Sequence, residues 1–91
     1  MNIIRKHFVF TGRVQGVGFR YKACGLARHY GITGWIKNNG DGSVEAQLQG
    51  REEALDMMIQ GLLQDTYIRI DWITRNSMEV DNVEHGFSVK Y

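Results

Sequence analysis

The sequence predicts an α+β sandwich of the split βαβ kind: one antiparallel sheet with two helices on one face, and a short extra strand at the C-terminal end. Three observations predict it. Segments in which apolar residues alternate are separated by two segments of helical period. The resulting order is strand, helix, strand, strand, helix, strand, which right-handed crossovers restrict to few topologies. The central pair of strands flanks Asn39-Gly40-Asp41-Gly42, residues that favour a hairpin turn because they tolerate positive φ.

Residues 4–11 place Phe8 and Phe10 on one face and His7, Val9 and Thr11 on the other, the pattern of a half-buried strand. Gly12, Gly16 and Gly18 then interrupt the alternation with a loop. Phe19, Ala23, Leu26, Ala27 and Tyr30 recur at helical spacing, and Gly31 is suited to the left-handed position that ends a helix. Residues 33–38 and 43–49 form the hairpin. Glu52, Glu53 and Asp56 complement the dipole at the start of a second helix, whose apolar face is Ala54, Leu55, Met58, Ile59 and Leu62. Residues 67–74 alternate again, with Ile68, Ile70 and Trp72 expected on one side. A polar stretch from Asn76 to Glu84 follows, and Phe87, Val89 and Tyr91 make the short last strand.

The chain has 91 residues, the size of one domain spanning 1–91. Hydrophobic residues make up 43% and charged residues 23%, which excludes a disordered chain. No apolar run reaches the roughly 18 residues of a membrane span. The N-terminal residues lack the pattern of a signal peptide, and the single cysteine, Cys24, forms no internal disulfide, so a cytoplasmic protein is expected. The formal charge is only +1, yet residues 1–40 hold seven Lys and Arg and no acid, whereas residues 41–91 hold four against ten acids. An acid-free half favours an anionic ligand, with Arg13 and Arg20 the cations of interest.

The loop from Gly12 to Arg20 lies between a strand and a helix N-terminus. Glycines allow successive main-chain N–H groups to converge on an anion, and a guanidinium in the first helical turn adds bidentate contacts to phosphate oxygens. Neither the Walker pattern nor the dinucleotide GxGxxG is present. Read by itself, the segment fits a tight turn with a solvated arginine as well as it fits a phosphate site.

The strings GRVQGVGFR (12–20) and GWIKNNGDGSVE (34–45) resemble the two signature motifs of the acylphosphatase family, at that family's spacing, and FSVKY (87–91) resembles its ending. The resemblance spans essentially the whole chain and implies a ferredoxin-like fold. It implies an enzyme that hydrolyses the mixed anhydride of a carboxylic acid and phosphate to carboxylate and inorganic phosphate. It implies that Arg20 binds the phosphoryl group and that Asn38 orients the attacking water. The main-chain N–H groups of Gln15, Gly16, Val17, Gly18 and Phe19, with Arg20, are then the substrate-binding groups, and the Gln15 side chain is placed to add a contact. The connection Gly61 to Asp65 departs from the family in lacking a Gly-Pro.

Other chemistries fit the sequence less well. His7, His29 and His85 lack metal-ligand spacing, so no metal and no cofactor are expected. The stretch starting at Lys37 fails as a calcium loop at its first position and at Leu48, its twelfth. Cys24 reads as a helix packing residue rather than a nucleophile, Trp35 and Trp72 as packing residues, and the Met57-Met58 pair as core filler. The competing functions are a nucleic-acid module of similar fold and a non-catalytic anion-binding domain. The first requires aromatic residues on the third strand, and 43–49 has none. The expected partner is therefore a small acyl phosphate, with no nucleic acid and no membrane, and the chain is expected to act as a monomer.

Overall fold

A computed structural model describes residues 2–91. Its elements are β1 (Ile3–Arg13), α1 (Phe19–Tyr30), β2 (Thr33–Asn38), β3 (Val44–Arg51), α2 (Glu52–Leu63), β4 (Arg69–Met78) and β5 (Phe87–Lys90). They build one sheet in the order β4-β1-β3-β2-β5. β1 pairs antiparallel with β3 and β4, and β2 antiparallel with β3. The short extra strand differs from the rest: β5 runs parallel to β2, with Gly34 opposite Phe87 and Lys37 opposite Lys90. This is the split βαβ sandwich the sequence predicts, with one mixed edge.

The core lies between the sheet and the helix layer. Phe8 and Phe10 of β1, Ile36 of β2 and Ala46 and Leu48 of β3 meet Ala23 and Ala27 of α1 and Leu55, Met58, Ile59 and Leu62 of α2. Two contacts position the loop that follows β1. Val14 is buried within it, and the Phe19 ring lies 5.1 Å from that of Phe10 at a tilt of 55°. The loop is therefore anchored at both ends, and the first residue of α1 is tied to the centre of the sheet.

β1 and β4 are longer than the alternation implies, and a bulge interrupts their pairing. Thr11 pairs with Trp72 but Gly12 pairs with Ile70, so Asp71 is an extra residue in β4. Gly12 is required here: it has φ 130°, and a Cβ on it would lie 2.3 Å from the Arg69 carbonyl oxygen. The bulge reverses the side-chain alternation, so Ile73 follows Ile68 and Ile70 to the core side and Trp72 turns outward, 69% exposed. The expectation that Trp72 packs in the core is corrected accordingly. Met57 is likewise half exposed, and only Met58 fills the core. Trp35 sits beneath Lys90, whose Nζ is 4.4 Å from its ring centroid.

The hairpin between β2 and β3 is closed by a three-residue loop. Asn39 N–H donates to Ser43 O (2.9 Å) and Gly42 N–H to Asn39 O (3.2 Å). Only Gly42, at φ 93°, adopts positive φ there, so Asn39 and Asp41 act through their side chains instead. The Asp41 carboxylate accepts from the Ser43 hydroxyl and N–H, at 2.6 and 2.9 Å, which holds it below the usual carboxylate range. After α2, the connection without Gly-Pro closes through Gln64 N–H to Gln60 O and through Asp65 Oδ1, which accepts the Tyr67 N–H at 2.8 Å.

On the sheet face away from the helices, Arg5 is only 5% exposed. Its guanidinium donates to both oxygens of Glu84, at 2.8 and 3.0 Å, and to the side-chain oxygens of Gln47 and Gln49. Gln49 in turn exchanges two hydrogen bonds with the Asp81 main chain. These bonds fasten the segment leading into β5.

Candidate active site

The loop between β1 and α1 contains two left-handed residues, Gly16 at φ 72° and Gly18 at φ 81°. Neither is crowded, since a Cβ on either would meet nothing within 4 Å, so conformation alone asks for glycine. Left-handed residues spaced in this way aim main-chain N–H groups into a common concavity. Gly18 is also the residue before α1, and it supplies no side-chain cap. The first turn of α1 has no acid, whereas that of α2 carries Glu52 and Glu53. The first N–H groups of a helix lack intrahelical partners and carry the positive end of its dipole. In α2 acids answer that charge; in α1 the chain provides none.

Arg20 lies in this first turn and is half-buried. Among the described residues its guanidinium pairs with no carboxylate, and its nearest aromatic partner is the Tyr91 ring, 5.6 Å away. Asn38 ends β2 opposite Val44. Its Oδ1 is buried without a hydrogen-bond partner, a costly state for a polar atom unless a ligand completes it.

Gln15 joins the two motifs. Its Nε2 donates to Asn39 O at 2.7 Å and to Ser43 O at 2.8 Å. Both amide hydrogens are thus engaged by the hairpin, and the expectation that this side chain adds a phosphate contact is revised: it braces the loop against the strand end that bears Asn38.

Gln15, Gly16, Gly18, Phe19, Arg20 and Asn38 all line one cavity of about 720 Å³. Val17 is the exception among the residues singled out in the sequence. It leans on the core and borders a separate hollow with Arg13 and Tyr67, so only its main chain follows the loop. Arg13 also lies outside the main cavity. That cavity is lined by three cations, Arg20, Lys22 and Arg28, and among the described residues no Asp, Glu or His side chain lines it. Lys22 is partly answered by Asp65, 3.7 Å away. Cys24 is half-buried on the cavity wall. Val89 and the exposed Tyr91 also line the cavity, a role not readable from sequence because it depends on the parallel pairing of β5 with β2. Their alternation with Phe87 is the one signal that places them together.

The arrangement can bind a tetrahedral anion with main-chain N–H groups and one guanidinium, beside a carboxamide able to hold water. The chain is similar to known proteins along most of its length. The acylphosphatase family matches residues 6–89. An acylphosphatase of Geobacillus kaustophilus is 38% identical over 96% of this chain and 94% of its own. One from Bifidobacterium longum is 49% identical over 67% of this chain, a match that spans 63% of the relative's length. The crystal structure of acylphosphatase from Bacillus subtilis superposes with a TM-score of 0.88 at 31% identity, covering 97% of this chain and 99% of that one. With the sequence match and the superposition both running nearly end to end, the chain belongs to the acylphosphatase family.

Proposed function

We propose that this enzyme hydrolyses acyl phosphates with its work divided between the glycine loop, Arg20 and Asn38. The activity follows from the family; the geometry of the site supports this division of labour. The main-chain N–H groups of residues 15–20 and the Arg20 guanidinium bind the phosphoryl oxygens and neutralise their charge. They are fixed before substrate arrives, by Val14, Phe19 and the Gln15 brace, so little reorganisation is needed as the transition state forms. Asn38, on the cavity lining, holds the attacking water through its carboxamide and aims it at phosphorus. The leaving carboxylate is stable as an anion and needs no strong acid behind it.

The attacking water must lose a proton. Among the described residues no Asp, Glu or His side chain lines the cavity to take it, and His29 packs on Tyr30 instead. The acceptor in this reading is a phosphoryl oxygen of the substrate. All three parts come from one chain, so the reaction runs in a monomer, and the lone thiol suits a cytoplasmic setting. The observation that carries the proposal is the meeting of an uncapped helix N-terminus, an arginine without a carboxylate partner among the described residues, and Asn38 around one cavity. The test is release of inorganic phosphate from benzoyl phosphate, with Arg20→Ala as control. Activity that survives this substitution at the wild-type level overturns the assignment. So does a rate that falls as pH drops through about 6.5 in the wild type, with His29→Asn slow and free of that inflection, since the proton would then pass through imidazole.

A further inference from the structure

We infer that the acyl half of the substrate lies along α1 between Gly25 and the wall formed by Val89 and Tyr91, and that Gly25 sets how large an acyl group the site accepts. The inference rests on the phosphoryl assignment above and extends it to the other half of the molecule.

A phosphoryl group fills only a small part of a cavity of about 720 Å³. Beyond the loop and Arg20, the lining adds Tyr21, Cys24, Gly25, Leu26, Val89 and Tyr91, with Lys22 and Arg28 beside them. The apolar and aromatic members offer surface suited to a hydrocarbon or aryl group, and Lys22 is already answered by Asp65. The space is continuous with the phosphoryl cradle, so its occupant is the group bonded to that phosphate.

Gly25 is the feature that α1 itself does not explain. It stands in the middle of a twelve-residue helix, where glycine is a poorer choice than any residue except proline. It has no positive φ, so no unusual backbone geometry asks for it. No neighbour crowds it either: a Cβ built there meets nothing within 4 Å. Gly61 of α2 shows the contrast, because a Cβ there would lie 3.0 Å from the Leu26 methyl groups and glycine permits the helices to approach. The space before Gly25 is not filled by protein and opens into the cavity. A side chain at position 25 would stand where a bulky acyl group passes. The class of substrate that uses this space is an acyl phosphate with a broad, flat acyl group, of which benzoyl phosphate is the simple example; acetyl phosphate does not reach it.

The experiment compares kcat/KM for benzoyl phosphate and acetyl phosphate in the wild type, Gly25→Ala and Gly25→Leu, with thermal unfolding of each. The expected result is a benzoyl-to-acetyl ratio about tenfold or more lower in Gly25→Leu, through a raised KM for benzoyl phosphate, with Gly25→Ala between. Gly25→Ala is expected to melt roughly 4 °C higher than the wild type, which separates a blocked groove from a damaged fold. A ratio that Gly25→Leu leaves unmoved overturns the inference and leaves the phosphoryl assignment standing. A wild type that hydrolyses neither compound overturns both.

Discussion

Arg5 and Glu84 stand 79 positions apart in the chain and form a bidentate ion pair at 2.8 and 3.0 Å, almost closed to solvent on the Arg5 side. The pair secures the segment that carries β5 against the outer face of the sheet, and β5 walls the candidate active site.

Glu84→Gln is expected to cost about 3 kcal/mol of folding stability in urea unfolding, because a buried guanidinium loses its counter-charge while Gln47 and Gln49 still accept from it. Replacing both partners, as Arg5→Met with Glu84→Leu, is expected to cost less than the single change. The Arg5 hydrogen bonds hold the Glu84 carboxyl below its ordinary range. The pair's contribution is therefore fully present above the unfolded carboxylate pKa and is lost as pH falls through the lower folded value. The gap between wild type and Glu84→Gln should be wide at pH 7 and close in acid.

Gln15→Ala removes two donors and leaves the Asn39 and Ser43 carbonyls without that partner, an expected loss of about 1–2 kcal/mol. Gln15→Glu, although nearly isosteric, is expected to be worse, since a carboxylate would face two carbonyl oxygens. Both variants should lower kcat as well as stability, because the brace sets the loop relative to Asn38. Unfolding curves together with kcat and KM for benzoyl phosphate check the order; Gln15→Glu more active than Gln15→Ala would contradict it.

Arg20→Ala should both weaken competitive inhibition by inorganic phosphate and reduce turnover. Arg20→Lys should recover only part of each, since an ammonium keeps the charge but not the planar pair of donors. Full recovery by lysine would show that the guanidinium acts as charge alone.

Asn38→Ala should cost about 2–4 kcal/mol of transition-state stabilisation, with KM little changed. Asn39→Ala removes a 3.0 Å hydrogen bond to the Ser43 hydroxyl and should cost at most about 1 kcal/mol of stability while sparing turnover. The two adjacent asparagines make a sharp comparison by kcat, and an inactive Asn39→Ala would reverse the assignment.

Much of this architecture is legible in the sequence, because its signals are local. Phe8 and Phe10 alternate, Ala23 and Ala27 share a helical face, and Gly31 ends α1 at φ 68°. The strings around Arg20 and Asn38 point to one site because both motifs stand intact. What escapes is long-range or depends on an insertion. Trp72 reads as a core residue until Asp71 shifts the register against β1. The last four residues of β4 carry no alternation because an edge strand there buries little. Gln15 looks like a phosphate contact because nothing local shows that its amide is engaged by carbonyls 24 and 28 residues away.

The extra residue in β4 has an effect beyond turning one tryptophan outward. β4 is an outer strand of the sheet, the kind of border to which a second polypeptide can add its own strand. A bulge breaks the even spacing of free donors and acceptors along that border and twists it. A flat intermolecular ladder would meet that interruption at Asp71, which makes this flank a poorer template for an added strand than an unbroken edge would be.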